Sequence, residues 1–185
     1  MHRLGSVTLQ QHPRAFFQVT PQWAWEAFGR IFREWQLGGT TLFDLYGGGG
    51  FFSRLLADRF RRFVLVETAP LAVNDARANL EGMDVKVVLA EVSDGLASQP
   101  EDWAGPDDTV LLDPPRAGLT VEVCDILRLC HARGIVLIGC DGAAFCRDVR
   151  RICEQAPWQL TRLSVIDLFP NTPEVECVGL LTRTD

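Results

Sequence analysis

The chain has 185 residues, enough for one domain with one full core. Apolar residues make up 47% and charged residues 23%, the balance of a soluble globular protein, which argues against disordered and membrane-spanning classes. A formal net charge of −6 argues against a self-sufficient nucleic-acid binder with a basic face, while leaving room for a local basic patch.

There is no run of about 18 uninterrupted apolar residues, and the N-terminus lacks the apolar core of a signal peptide. The expected location is therefore cytoplasmic and reducing, with no membrane partner. The six cysteines (Cys124, Cys130, Cys140, Cys146, Cys153, Cys177) form no C-x-x-C pair, and His2, His12 and His131 lie far apart. Metal-ligand spacing is missing, so no metal is expected. Four or five of these cysteines are expected to be small buried apolar groups.

Residues 1–20 read as an N-terminal arm ahead of a single domain that fills 1–185, with no separate RNA-binding or iron–sulfur domain. Phe16 to Thr20 is expected to be extended, with Thr20 as N-cap and Pro21 in the first helical turn. A helix follows from Pro21 to Gln36, with Trp23, Ala27, Phe28, Ile31, Phe32 and Trp35 near helical spacing, stopped by Gly38-Gly39. From there strands alternate with helices. The strands are predicted at Thr41–Tyr46, Phe63–Glu67, Val85–Ala90, Thr109–Asp113 and Ile135–Cys140. The helices between and after them are predicted at Phe51–Arg59, Pro70–Leu80, Ser93–Gln99, Val121–His131 and Ala143–Gln155. Continuously apolar strands of this kind imply a parallel sheet covered on both faces. The last two strands, Gln159–Leu168 and Val175–Thr182, are separated by too few residues for a helical crossover and must be antiparallel.

The stretch Asp44-Leu45-Tyr46-Gly47-Gly48-Gly49-Gly50-Phe51 joins the first of these strands to a helix, the arrangement of a nucleotide-type site. Glycines let backbone approach a ligand closely. Glu67, at the end of the next strand, is placed to accept hydrogen bonds from ribose hydroxyls. Asp44, Gly47, Gly49 and Glu67 are accordingly candidate cofactor-binding residues. A dehydrogenase would want G-x-G-x-x-G, but Phe52 stands at the sixth position counted from Gly47, which favours a methyl donor over a dinucleotide.

Three further groups fall on the same rim, beyond the carboxyl ends of the strands. Asp113 is followed by Pro114-Pro115, a stiff wall beside a planar ring or simply a turn. Cys140 precedes a helix N-terminus that can lower a thiol pKa and activate a nucleophile, although a buried strand-end cysteine is the plainer reading. Glu174 and Glu176 share one strand face, as a general base or as solvated carboxylates.

Together these pieces resemble the uracil-C5 RNA methyltransferase family, which makes 5-methyluridine in tRNA and ribosomal RNA. The resemblance runs from about Phe16 to Thr182. It rests on Phe17-Gln18-Val19, Asp44-Leu45-Tyr46 with its glycines, Leu112-Asp113-Pro114-Pro115-Arg116-Ala117-Gly118, Cys140 followed by Arg147-Asp148, and Asp167-Leu168-Phe169-Pro170-Asn171-Thr172 with Val175-Glu176. It implies a Rossmann-like α/β fold with a C-terminal antiparallel strand pair. It also implies S-adenosyl-L-methionine held by Gln18, Tyr46, Glu67 and Asp113, Cys140 as nucleophile on uracil C6, and Glu176 as acceptor of the C5 proton. RNA, either tRNA or ribosomal RNA, is the implied substrate, with or without a separate RNA-binding partner.

The chain departs from the family pattern at several positions. Asp141-Gly142 replace the usual Asn-Pro after the nucleophile. Gly47 and Phe51 stand where cysteine and asparagine are common, and Asn171 where histidine is. The sequence leaves open two other readings, a cofactor-binding accessory module without its own activity and a methyltransferase for a non-RNA acceptor. Arg147, Arg150 and Arg151 are either phosphate contacts or a solvated helix face.

Overall fold

The computed structural model describes residues 1–97 and 103–184. Two strands, β1 (His2–Leu4) and β2 (Val7–Leu9), pair antiparallel around Gly5. They are followed by α1 (Pro21–Glu34), β3 (Gly39–Leu45), α2 (Phe51–Leu55), β4 (Phe60–Glu67), α3 (Pro70–Asn79), β5 (Val85–Leu89) and α4 (Val92–Ala97). The rest comprises β6 (Thr109–Leu112), α5 (Val121–Leu129), β7 (Gly134–Gly139), α6 (Gly142–Cys153), β8 (Trp158–Ile166) and β9 (Glu176–Arg183). The end of the expected fourth helix, at Gln99, lies outside the described residues.

Seven strands form one sheet in the order β5-β4-β3-β6-β7-β9-β8. Strands β3 to β7 are parallel, and β9 runs antiparallel between β7 and β8. The interior strands carry the continuous apolar runs that two covered faces demand, as in Val110-Leu111-Leu112 and Ile135 to Ile138, all 0–1% exposed. Helix α1 covers one face through Phe28 and Phe32. Helices α5 and α6 cover the other through Leu127 and Ile152. Short βα connections leave the ends of β3, β4, β6 and β7 on one rim.

The N-terminal arm differs from the expectation. It opens with a hairpin whose Leu4 and Leu9 are 0% exposed. The segment after the hairpin is tied to α3: Asn79 accepts from Gln10 N (2.7 Å), and the Asp75 carboxylate accepts from Gln10 Nε2 (3.1 Å) and His12 N (2.7 Å). These bonds hold the arm across the rim of the sheet. Two cap expectations also fail. Thr20 makes no side-chain cap bond because its backbone is left-handed (φ 47°), which leaves Pro21 alone as the start signal. Helix α1 ends at Glu34 with Trp35 as its C-cap, two residues short of the expected Gln36 and before the glycines. Gln36 takes the left-handed position (φ 53°), and Leu37 N donates back to Phe32 O at 2.9 Å.

Candidate active site

The glycine turn leaves β3 through a non-glycine residue in left-handed conformation, Tyr46 at φ 60°. Such backbone costs on the order of 1–3 kcal/mol, and surrounding contacts must hold it. Here Gly47 N donates to Val66 O (3.1 Å) and Gly48 N to the Glu67 carboxylate (2.9 Å), which fastens the turn to β4. The same Glu67 carboxylate accepts from Thr68 N and Ala69 N, both at 2.8 Å. Gly47 is packed so tightly that a Cβ there would sit 2.5 Å from Leu65 Cγ, so the cysteine common in the family has no room. Gly48, at φ +52°, faces open space.

A cavity of about 520 Å³ lies over this turn. It brings together Gln18, Tyr46, Glu67, Asp113, Cys140 and Glu176, contributed by the arm and by the ends of β3, β4, β6 and β7 and the start of β9. Pro114 and Pro115 form part of the wall, with Phe169 near them and Phe16 and Val19 also lining it. Gln18 reaches across from the arm and donates to Asp113 at 2.6 Å.

Three candidate residues are not on this wall. Asp44 is 0% exposed, and one of its carboxylate oxygens accepts from Ser53 N (3.0 Å) and Ser53 Oγ (2.6 Å). It caps the first turn of α2, which has glycine at its N-cap and no side-chain cap of its own. It is thus a positioning residue for the glycine turn, not a contact. Gly47 and Gly49 line a smaller neighbouring pocket, and Gly49 O accepts from Asn79 at 2.8 Å. The backbone that meets the large cavity belongs to Gly48, which nothing in a run of four glycines singles out. Phe51 is only 5% exposed and packs edge-on to Phe17, Trp25 and Phe52, so it belongs to the core.

Charge around the cavity is one-sided. Burial pushes Asp113 up to about 7, against the Gln18 bond that lowers it. Burial, with Asp113 nearby, pushes Glu176 up to about 8; Glu176 is 4% exposed. Cys140 is half-buried, and its thiol is raised by burial first and by Glu176 second. The expectation of a lowered thiol pKa is therefore corrected: desolvation outweighs the short reach of the α6 N-terminus. Asp141 caps that helix, accepting from Ala144 N at 2.8 Å. The guanidinium on this wall is Arg116, 3.0 Å from Glu174 and 3.9 Å from Asp141.

Arg147 and Asp148 hold the proline turn in place. Asp148, 1% exposed, accepts from Leu119 N (2.7 Å) and pairs with Arg147, which donates to Ala117 O (2.7 Å). Arg147 is thereby committed to the turn, not to phosphate, and Arg151 lies 3.9 Å from the same Asp148. The cysteine expectation needs adjusting as well. Cys124, Cys130 and Cys177 are buried, Cys140 and Cys153 are intermediate, and Cys146 is exposed. Among the described residues no group of three or more potential ligands could hold a metal ion, and no helix is long and apolar enough to cross a membrane.

Asp44 carries a prediction of its own. Burial raises its pKa from 3.8 to about 7, and its second oxygen has no hydrogen-bond partner. A raised carboxyl contributes nothing adverse below pH 4, costs stability increasingly from pH 4 to 7 as the unfolded chain ionises, and reaches its full cost above 7. Asp44→Asn should therefore be more stable than the native chain at pH 8, by roughly 2 to 4 kcal/mol, since each tenfold change in proton affinity is worth about 1.4 kcal/mol. At pH 4 the two should be equal. Denaturant melts at the two pH values check this, and a variant less stable at pH 8 refutes it.

The sheet order with its inserted antiparallel β9, and a site beyond the strand ends on the glycine-turn side, define a Rossmann-like fold of the S-adenosylmethionine-dependent methyltransferase class. Residues 106–184 match the tRNA (uracil-5-)-methyltransferase family. It is 31% identical over 175 residues to an uncharacterized RNA methyltransferase of Porphyromonas gingivalis, covering 92% of this chain and 37% of that one. It is 32% identical over 178 residues to another from Thermotoga maritima, covering 94% and 39%. Among solved structures it resembles the Pyrococcus abyssi tRNA (uracil-54, C5)-methyltransferase in complex with S-adenosyl-L-homocysteine. The TM-score there is 0.81 at 30% identity, covering 97% of this chain and 43% of that chain. The chain thus spans about two fifths of the length of the relatives it matches.

Proposed function

We propose that this chain is the catalytic domain of an S-adenosyl-L-methionine-dependent RNA methyltransferase that acts on C5 of uridine. The observation that carries this reading is the shared cavity: Cys140 and Glu176 line the same space as the glycine turn, Glu67 and Asp113.

The residues fit the cofactor. The open backbone at Gly48 admits a ligand close to the turn, and Glu67 offers carboxylate oxygens there. Burial raises the proton affinities of Asp113, Cys140 and Glu176, so this wall holds its acids and its thiol toward their neutral forms. Gln18, Tyr46, Glu67 and Asp113 would hold S-adenosyl-L-methionine. Bound there, it supplies an electrophilic methyl group on a positively charged sulfur.

The chain's own residues make the acceptor reactive. C5 of an intact uracil ring is a weak nucleophile. The Cys140 sulfur bonds to C6, and the electron pair of the C5–C6 double bond moves to C5 and the adjoining carbonyl, so that C5 can accept the methyl. Glu176 then takes the proton left on C5. That electron pair restores the double bond and expels Cys140 as thiolate. Because both groups are held high, the thiol gives its proton to solvent water as the sulfur–carbon bond forms, and Glu176 must be a carboxylate before it takes the C5 proton. Pro114 and Pro115 offer a rigid wall for the flat ring.

Incubating the protein with unmodified RNA and the methyl donor, then digesting the RNA to nucleosides, should yield 5-methyluridine detectable by mass spectrometry. A methyl label that goes only to protein or small molecules would refute the RNA reading. A second reading, a cofactor-binding module without turnover, draws on the raised Cys140 thiol; cofactor binding by calorimetry with no methylated product from total RNA would select it.

A further inference from the structure

We infer that the groove along α1 binds the single-stranded RNA that flanks the target uridine. It has a volume of about 360 Å³ and is lined by Trp23, Trp25, Glu26, Arg30, Arg33 and Leu55. This rests on the RNA-methyltransferase reading, in that the occupant is taken to be RNA.

Three observations carry it. First, the groove is lined from the helix that directly follows the arm segment bordering the catalytic cavity. Val19 lines that cavity and Trp23, four residues on, lines the groove. Behind the groove, Trp25 packs edge-on against Phe51 at 5.4 Å and Phe51 against Phe17 at 5.9 Å, which ties the groove wall to the core beside the glycine turn. Phe51 and Phe17 both line the small pocket under the glycine turn. Helix α1 has 14 residues and so runs about 21 Å away from the rim. That is enough for three or four nucleotides.

Second, an unusual surface is left bare. Trp23 is 51% exposed, the largest apolar side chain open to solvent at this end of the molecule. An indole face is a sequence-tolerant stacking platform, worth on the order of 1–3 kcal/mol per base.

Third, the charge is complementary. Arg30 and Arg33 are exposed, lie three residues apart and so share one helix face, and neither guanidinium has an ion pair or hydrogen bond among the described residues. Glu26 is the acid on the same groove and forms no ion pair with Arg30. In a chain with a net charge of −6, two unpaired arginines beside an open tryptophan form a localised cationic strip. Arg147, by contrast, is consumed by Asp148 and Ala117.

The test is binding of a fluorescein-labelled, uridine-rich single-stranded RNA of 20 nucleotides, measured by anisotropy at 50 and 200 mM salt. The native chain should bind, and its Trp fluorescence should be quenched. The double variant Arg30→Gln/Arg33→Gln should bind at least tenfold more weakly, and its slope of log affinity against log salt should be smaller by one to two. Trp23→Ala should weaken binding about tenfold or more while leaving the salt slope unchanged. All three positions are exposed, so melting temperature and S-adenosyl-L-methionine affinity should stay at native values. Equal RNA affinity in native and variant chains overturns the inference, as does no RNA binding by the native chain at 50 mM salt. The readout is binding, not methyl transfer. Groove-dependent binding without 5-methyluridine formation sinks the catalytic reading alone, and methylation with unchanged groove variants sinks the groove alone.

Discussion

Cys140→Ala should abolish 5-methyluridine formation, with no turnover above background, while S-adenosyl-L-methionine still binds with an affinity within a few-fold of native. The thiol sits on a cavity wall half open to solvent, and its removal leaves no buried polar group behind, so the fold should persist. No neighbouring side chain can replace it. Cys177 is 9% exposed and is not on the cavity wall, and the remaining cysteines lie on α5, on α6 or at the end of α5. Native protein, the methyl donor and RNA carrying 5-fluorouridine should give a covalent complex that survives denaturation, because once C5 is methylated its fluorine cannot leave as a proton does. Cys140→Ala should give none. A variant that still methylates RNA would show that sulfur addition is not the route. Since the native thiol is raised by burial and by Glu176, its reaction should also be slow without RNA, and iodoacetamide should label it more slowly than the exposed Cys146.

Glu176→Gln is expected to lower kcat by about 10²- to 10⁴-fold, the usual contribution of one positioned proton acceptor. The change conserves volume at a position only 4% exposed, so stability should be little affected. Its distinguishing mark is trapping: methylated uridine should accumulate bound to Cys140, visible as a protein–RNA complex even without fluorine, because the C5 proton has no acceptor. The pH profile gives a second mark. Glu176 in the free chain has its pKa raised to about 8, so near neutrality only a minority is carboxylate. The native kcat/KM should therefore climb with pH and bend near 8, its slope falling by about one tenfold step per unit where Glu176 ionises, while the thiol still contributes above it. In Glu176→Gln that bend should vanish. The Cys140 thiol, relieved of the charge beside it, should titrate at a lower pH than in the native chain. An unchanged bend in the variant would assign it to another group, Asp113 being the nearest with a raised carboxyl.

The two variants also separate the roles of charge and position. The cavity wall carries several acids with Arg116 as its guanidinium, and that cation is already engaged by Glu174 and Asp141. Such a wall is poor at stabilising a free thiolate or carboxylate.

Much of the fold can be read from the residues themselves. The parallel strands are unbroken apolar runs, and burial on both faces demands such runs, so β4, β6 and β7 declare themselves within a few residues of their true ends. The final hairpin follows from length alone, because the residues between Ile166 and Glu176 cannot hold a crossover helix. The N-terminal strands escape such reading because three residues are too few for a period-two pattern to register. Their pairing is stabilised by Leu4 and Leu9 packing under α1, a tertiary contact.

The residues and their order are enough to specify the set of groups on one rim: a glycine turn, acidic Glu67 and Asp113 at strand ends, a sulfur at Cys140 and a carboxyl at Glu176. Connectivity of a parallel sheet obliges every strand end to meet there. The direction each group faces, and its proton affinity, come from packing in three dimensions. Asp44 and Tyr46 are two apart and would share a face of a straight strand. The strand ends at Leu45, the backbone of Tyr46 turns left-handed, and Tyr46 goes to the cavity while Asp44 goes under α2. Proton affinities follow from burial and from the charges that neighbouring strands bring within reach, and these are properties of the packed sheet, not of any one segment.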